Sequence, residues 1–174
     1  RRALRGLEAT AGGDPGMLGA IASAYVDAGD ANHGLSLIRQ EIGRTAQPSP
    51  DIQLAYAGLL LKTGQDVEAA STLRALQNRP MNAAQKKTFD DLAFMYNIRQ
   101  ADLLRERGEF ARAHDTLAPA LAQRPSDTMA LAAMARLYAA NGENDKALEQ
   151  YKRLLQKDPD NADLQMGAAI AATQ

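Results

Sequence analysis

The 174-residue chain has no cysteine and no tryptophan, and aromatic residues make up only 5% of it. The missing thiols exclude disulfide scaffolds, thiolate metal sites and cysteine nucleophiles. Scarce aromatic side chains beside plentiful Ala, Leu and Gln argue against strands and for helices. No apolar run approaches the roughly 20 residues that a membrane-spanning helix needs, so this segment is not expected to be membrane-inserted. An excess of one charge is absent too: 20 Lys and Arg face 21 Asp and Glu. A protein that neutralises phosphates needs a basic surplus, which excludes nucleic acid as the expected partner.

Catalytic constellations are also missing. His33 and His114 stand alone, one in a turn and one on a helix, with no partner at the spacing of a metal site or dyad. Asp90 and Asp91 are neighbours, which point to different sides of a helix, and Glu106 and Glu109 read as helix-surface or turn charges. There is no glycine-rich phosphate loop, and no strand to carry one. No enzyme, metal or cofactor is expected. The chain opens "RRALRGLEAT", without Met or a signal-peptide pattern. It reads as a piece of something longer.

What is present is a period. Ala101 and Ala135, Gly108 and Gly142, Ala113 and Ala147, Leu117 and Tyr151, and Pro125 and Pro159 all stand 34 residues apart. Each position has a mechanical reason. Ala101 and Ala135 let a second helix approach the first, and Ala113 and Ala147 do the same from the second. Tyr138, three residues after Ala135, is a packing position. Gly108 and Gly142 take the positive φ of an inter-helix turn. Pro125 and Pro159 end the second helix, after which Ser126 or Asp127, and Asp160 or Asn161, can cap the next one. This unit resembles the tetratricopeptide repeat, or TPR. The expectation is an all-α TPR helix-turn-helix solenoid, wound as a right-handed superhelix.

The earlier chain follows the pattern less closely. Ala57, Gly64, Ala69 and Leu73 mark one unit, and Ala22, Tyr25, Gly29, Gly34 and Ile38 another. Gly34 stands where Ala is expected and should loosen its helix by about 1 kcal/mol. The resulting segmentation is one array over 1–174. It comprises the end of a repeat over 1–12, repeats over 15–46, 50–80, 82–125 and 128–159, and the start of another over 162–174. Gly64 and Gly108 are 44 residues apart, so about ten residues are inserted in the third repeat. With no Pro or Gly inside it, the stretch near 82–107 predicts one extended helix. Leu92, Met95 (or Tyr96), Arg99 and Leu103 form its expected buried stripe.

The first helix of each TPR pair lines a groove. Its positions map to Gly16, Gly19 and Ser23; Asp51, Leu54 and Gly58; Met95, Ile98, Asp102 and Arg105; and Met129, Ala132 and Arg136. The Lys/Asn/Arg set with which chaperone-binding TPRs hold a terminal carboxylate is missing. The groove instead suits an extended ligand or a helix. Asn97, Arg99, Asp102, Arg105 and Arg107 form the richest polar group, with Arg99 and Asp102 spaced for an ion pair. It reads either as a solvated helix face or as a strip contacting sugar hydroxyls or a partner protein. Tyr25, Tyr138 and Tyr151 fall on packing positions; Tyr56 and Tyr96 complete the tyrosines that could stack on sugars.

A narrower likeness rests on "IRQADLLRERG", "DTLAPALA", "AMARLYAANG" and "ALEQYKRLLQKDP", preceded in order by "IASAYVDAGDANHGLSLI" and "AYAGLLLKTGQDVEAASTL". Together they resemble the C-terminal part of the periplasmic TPR region of the C subunit of bacterial cellulose synthase, the outer-membrane exporter of cellulose. The resemblance implies a non-catalytic periplasmic scaffold within an outer-membrane protein. It would link the synthase to the pore, with other subunits of the complex as partners and the glucan chain as a guided cargo. The alternative is a general TPR interaction module of another envelope-assembly or cytoplasmic complex.

Overall fold

The computed structural model describes residues 2–11 and 14–173, so the segment bounds expected at 1, 12 and 174 lie outside the described residues. The described chain is helical throughout. Its elements are α1 (Arg2–Thr10), α2 (Pro15–Asp27), α3 (Ala31–Gly43), α4 (Pro50–Lys62), α5 (Asp66–Gln77), α6 (Ala83–Glu106), α7 (Phe110–Gln123), α8 (Thr128–Ala140), α9 (Asn144–Leu155) and α10 (Ala162–Thr173). Two compact units divide within α6, after Tyr96.

One turn is built four times. Gly29, Gly64, Gly108 and Gly142 take φ of 77°, 76°, 75° and 76°. Each glycine N–H donates to the carbonyl three residues back: Val26, Leu61, Arg105 and Ala139. The next N–H, on Asp30, Gln65, Glu109 and Glu143, reaches five residues back to Tyr25, Leu60, Leu104 and Tyr138 at 2.8–2.9 Å. This Schellman-type closure satisfies the last carbonyls of the first helix, and its left-handed residue would cost a side-chain-bearing residue about 1–2 kcal/mol. The second helix then starts without a side-chain cap. Its first bond runs from Gly34, Ala69, Ala113 and Ala147 to the carbonyls of Asp30, Gln65, Glu109 and Glu143.

First helices are capped by side chains instead. Asp14 accepts from the Met17 N–H and Ser49 from Ile52, each followed by proline at the first helical position. Asp127 accepts from Ala130 and Asn161 from Leu164, which decides between the paired candidates in the sequence. At α6, Asn82 and Gln85 bond each other's backbone N–H at 2.9 and 3.0 Å, a reciprocal capping box.

The small positions are buried: Ala101, Ala113, Ala135 and Ala147 are at most 2% exposed. Packing gives Gly34 a reason that its helix propensity does not. A Cβ there would lie 2.5 Å from the Ala22 carbonyl oxygen and 3.2 Å from Val26 Cγ2, so α3 crosses α2 too closely for even a methyl group. Gly34 is a packing requirement.

Two other expectations shift. The buried residues of the extended helix are Leu92, Phe94, Ile98 and Ala101, while Arg99 and Leu103 are half-buried. Met95 and Tyr96 pack with Phe89 against the core that contains Leu92. α9 ends at Leu155, four residues before Pro159, so that proline follows the stop without making it. Tyr138 is half-buried and packs, as expected, against the core of Leu131, Ala135 and Tyr151; its ring lies under the Lys146 ammonium at 5.4 Å and 6.5 Å from His114. Tyr25 and Tyr151 are buried as expected.

Candidate partner-binding groove

In the second unit, α6, α8 and the α9–α10 turn enclose an open concavity of about 490 Å³. Its floor is apolar: Ile98, Met129, Ala132, Leu154 and Leu164. Its rim carries Arg99, Asp102, Thr128, Arg136, Asp158 and Asn161. Of the expected groove residues, Ile98, Arg99, Asp102, Met129 and Arg136 thus lie together. Arg105 stands behind the rim, bonded to Asp102 through Nε at 3.2 Å.

Asp102 is the hub of the rim. Oδ1 accepts from Arg105 Nε and Arg136 Nε, and Oδ2 accepts from Arg136 Nη2 at 2.5 Å. The Arg136 contact is a forked guanidinium–carboxylate pair, the geometry that makes such pairs directional. Asp102 bonds Arg105 and Arg136. The signal for this pairing is the period itself: Asp102 and Arg136 are 34 residues apart, each six before its turn glycine. Leu154, Asp158, Asn161 and Leu164 were not expected here. They belong to the end of a second helix and the start of the next first helix, a junction that lies outside the usual first-helix groove positions.

Asp51 and Leu54 lie elsewhere, on a concavity of about 430 Å³ in the first unit, with Ala55, Gly58, Asn82, Ala84, Gln85, Thr88 and Leu92. Its lining has one charged residue, Asp51, which takes the Gln85 side-chain N–H at 2.9 Å. Gly19 does not lie open: a Cβ there would stand 3.0 Å from that of Ala55, so it serves the contact of α2 with α4.

The first unit's polar chemistry lies between its helices. Arg39 Nε donates to the Tyr56 hydroxyl at 2.6 Å and Nη2 to Glu68 at 2.7 Å, while the Tyr56 hydroxyl donates to Glu68 at 2.5 Å. Three helices meet in this triad. Burial, reinforced by the Glu68 carboxylate, pushes the Tyr56 phenol up to about 12. The hydrogen bonds from Tyr56 and then Arg39 hold Glu68 below the usual carboxylate range. Nearby, Glu8 accepts from the Tyr25 hydroxyl and lies 3.1 Å from His33 Nε2, so His33 is not alone. The bond from Tyr25 lowers the Glu8 pKa, and burial raises that of Tyr25. Among the described residues, no group of His, Asp and Glu is placed to hold a metal ion. None of their helices is long and apolar enough to cross a membrane.

The repeated turn, the buried small positions and the sequence comparisons agree on a class. The tetratricopeptide repeat family matches residues 98–162 and 132–174. A thermophilic TPR protein of Thermus thermophilus has the same fold, with a TM-score of 0.56 and 18% identity over 92% of this chain and all of that one. The chain thus has the fold of TPR proteins. More narrowly, its sequence is similar to the proteins called cellulose synthase operon protein C. Identity is 41% over 91% of the chain for the one from Pseudomonas fluorescens SBW25, and 41% over 81% for the one from Xanthomonas axonopodis pv. citri 306. The chain spans only 12% and 9% of the length of those two relatives.

Proposed function

We propose that this chain is a non-catalytic scaffold segment of a bacterial cellulose synthesis and export complex. It acts in the periplasm, linking the synthase to an outer-membrane pore through protein–protein contacts with the other subunits. The observation that carries this reading is the match of nearly the whole chain to cellulose synthase operon protein C. The rigid, repeated turns and the open groove on first helices supply the means. A framework whose small residues and glycines serve helix packing presents a preset surface to a partner, which lowers the ordering cost of binding.

The test is site-specific photocrosslinking in cells making cellulose, with the reactive group at Met129 or Thr128. Crosslinks to synthase subunits, and fractionation of the protein with the periplasm and envelope, are expected. A cytoplasmic protein with no such crosslinks would place it among TPR modules of another complex. Guidance of the glucan is a separate matter. Sugars are commonly held by stacking on aromatic faces, and no aromatic ring lines either first-helix concavity described above. Titration with cellohexaose, followed by NMR, tests it directly.

A further inference from the structure

We infer that the corner between α7, the end of α8 and the start of α9 binds a glucose residue of a neutral glucan; the choice of sugar rests on the cellulose-complex reading. The concavity there holds about 360 Å³, the lower end of the range for ligand pockets, and shares no residue with the first-helix groove. Three rings line it, from Phe110, His114 and Tyr138, beside the polar groups of Asp115, Asn141 and Glu143. Phe110 and Tyr138 are half-buried, and His114 is exposed. A pyranose carries apolar C–H faces edged by hydroxyls. Rings flanked by hydrogen-bonding groups match both parts of it.

The repeat itself does not require these rings. Phe110 stands two residues after its turn glycine, where the other second helices have Ala31, Asp66 and Asn144. His114 stands six after that glycine, where the others have Leu35, Ala70 and Leu148. Tyr138, four before Gly142, has Leu60 and Leu104 as counterparts. Its other counterpart, Tyr25, sits at a closed corner: the Tyr25 hydroxyl donates to Glu8 of α1, and His33 meets the same carboxylate at 3.1 Å.

Charge favours a neutral occupant. Glu143 accepts from Lys146 Nζ and, at 2.7 Å, from Asn141 Nδ2. These bonds, Lys146 first, hold Glu143 below the usual carboxylate range. The Lys146 ammonium also lies 5.4 Å from the Tyr138 ring centre, so an incoming cation meets like charge at that ring. An anion meets Asp115 and Glu143. Glu109, next to Phe110, is paired with Arg112 and adds no net charge. Sugar hydroxyls can donate to either carboxylate, each of which has about four acceptor sites.

The test is NMR titration of the full chain with cellotetraose, beside two controls. Sorbitol has hydroxyls but no ring, and tetramethylammonium has charge but no hydroxyl. Shifts at Phe110, His114, Tyr138 and Asn141 are expected with cellotetraose alone, and added salt should leave its affinity unchanged. Tyr138→Leu and Phe110→Ala install residues that other repeats carry at those positions, and circular dichroism checks that both variants remain helical. Each should weaken binding about fivefold, as loss of one ring contact does. His114→Ala, at an exposed position, should do the same. Equal shifts with sorbitol or tetramethylammonium overturn the assignment, and so does an unchanged affinity in all three folded variants. If cellotetraose leaves this corner unshifted while crosslinks to synthase subunits persist, the site falls and the scaffold reading stands. Binding here without those crosslinks keeps the site and removes the scaffold reading.

Discussion

The two units share a framework and differ in where they place their charges. In the first, Arg39 and Glu68 are spent between helices, around Tyr56, and the concavity beside α4 keeps Asp51 as its one charged residue. In the second, the arginines and Asp102 stand on the rim of the concavity itself. A single position accounts for much of the contrast. Six residues before the turn glycine stand Ser23, Gly58, Asp102 and Arg136 in successive repeats. Gly58, Asp102 and Arg136 each line a concavity, outside the packed seam. Groove chemistry therefore varies independently of the fold.

The comparison can be broken most severely at the crossing of α2 and α3. Gly34→Ala puts a methyl group 2.5 Å from a backbone oxygen and should destabilise the first unit by about 2–3 kcal/mol. The mirror change, Ala113→Gly in the second unit, should cost about 1 kcal/mol. Urea unfolding followed by residue-resolved NMR separates the two, and equal losses would show that the close approach is not required.

Alkali should act next, and on one unit. The Tyr56 phenol is raised in the folded state, so its contribution is intact below pH 10 and is lost as pH climbs from 10 towards 12. The loss should be on the order of 2 kcal/mol. Glu68 and Glu8 have lowered values, so their contributions are present above the ordinary carboxylate range and fade as pH falls through it. Tyrosine absorbance should show Tyr25 and Tyr56 ionising late. Phenylalanine at 56 should remove the alkaline loss of the first unit; its persistence would place the cause elsewhere.

Glu68→Gln should cost the first unit about 1–2 kcal/mol, because it weakens two charge-assisted bonds, one to the buried Tyr56 hydroxyl and one to the exposed Arg39 guanidinium. Asp102→Asn should cost a comparable amount, about 1 kcal/mol, since the Asp102 and Arg105 side chains are only 24% and 22% exposed. Thermal melts compare the two variants, and a larger effect at Asp102 would mean that the rim is structural. The smallest contrast is a deliberate null. Alanine at Gly29 or Gly64 and at Gly108 or Gly142 should each cost about 1 kcal/mol, with no difference between units, because all four share one φ.

The framework was legible in the sequence for a physical reason. Gly108, Gly142 and the buried alanines answer to local backbone geometry, and local requirements recur at every repeat. α6 was legible because no glycine or proline interrupts the chain between Asn82 and Gly108. Asn82–Gln85 carried the spacing of a capping box and went unread. The Arg39–Tyr56–Glu68 triad had no such spacing, since its members come from three helices and meet only after packing. Gly34 shows the limit of propensity: a residue scored as a weakness on one helix is a necessity for two.

The four turns close on their own backbone. No side chain from a neighbouring repeat is needed to make the bend, so the joint is self-contained. Heredity and engineering can therefore trade in whole helix pairs, adding, deleting or exchanging one without renegotiating the corners of the rest. On this view the rim residues are the passengers. A pair carrying a different residue six places before its glycine brings a new groove segment to an old chassis.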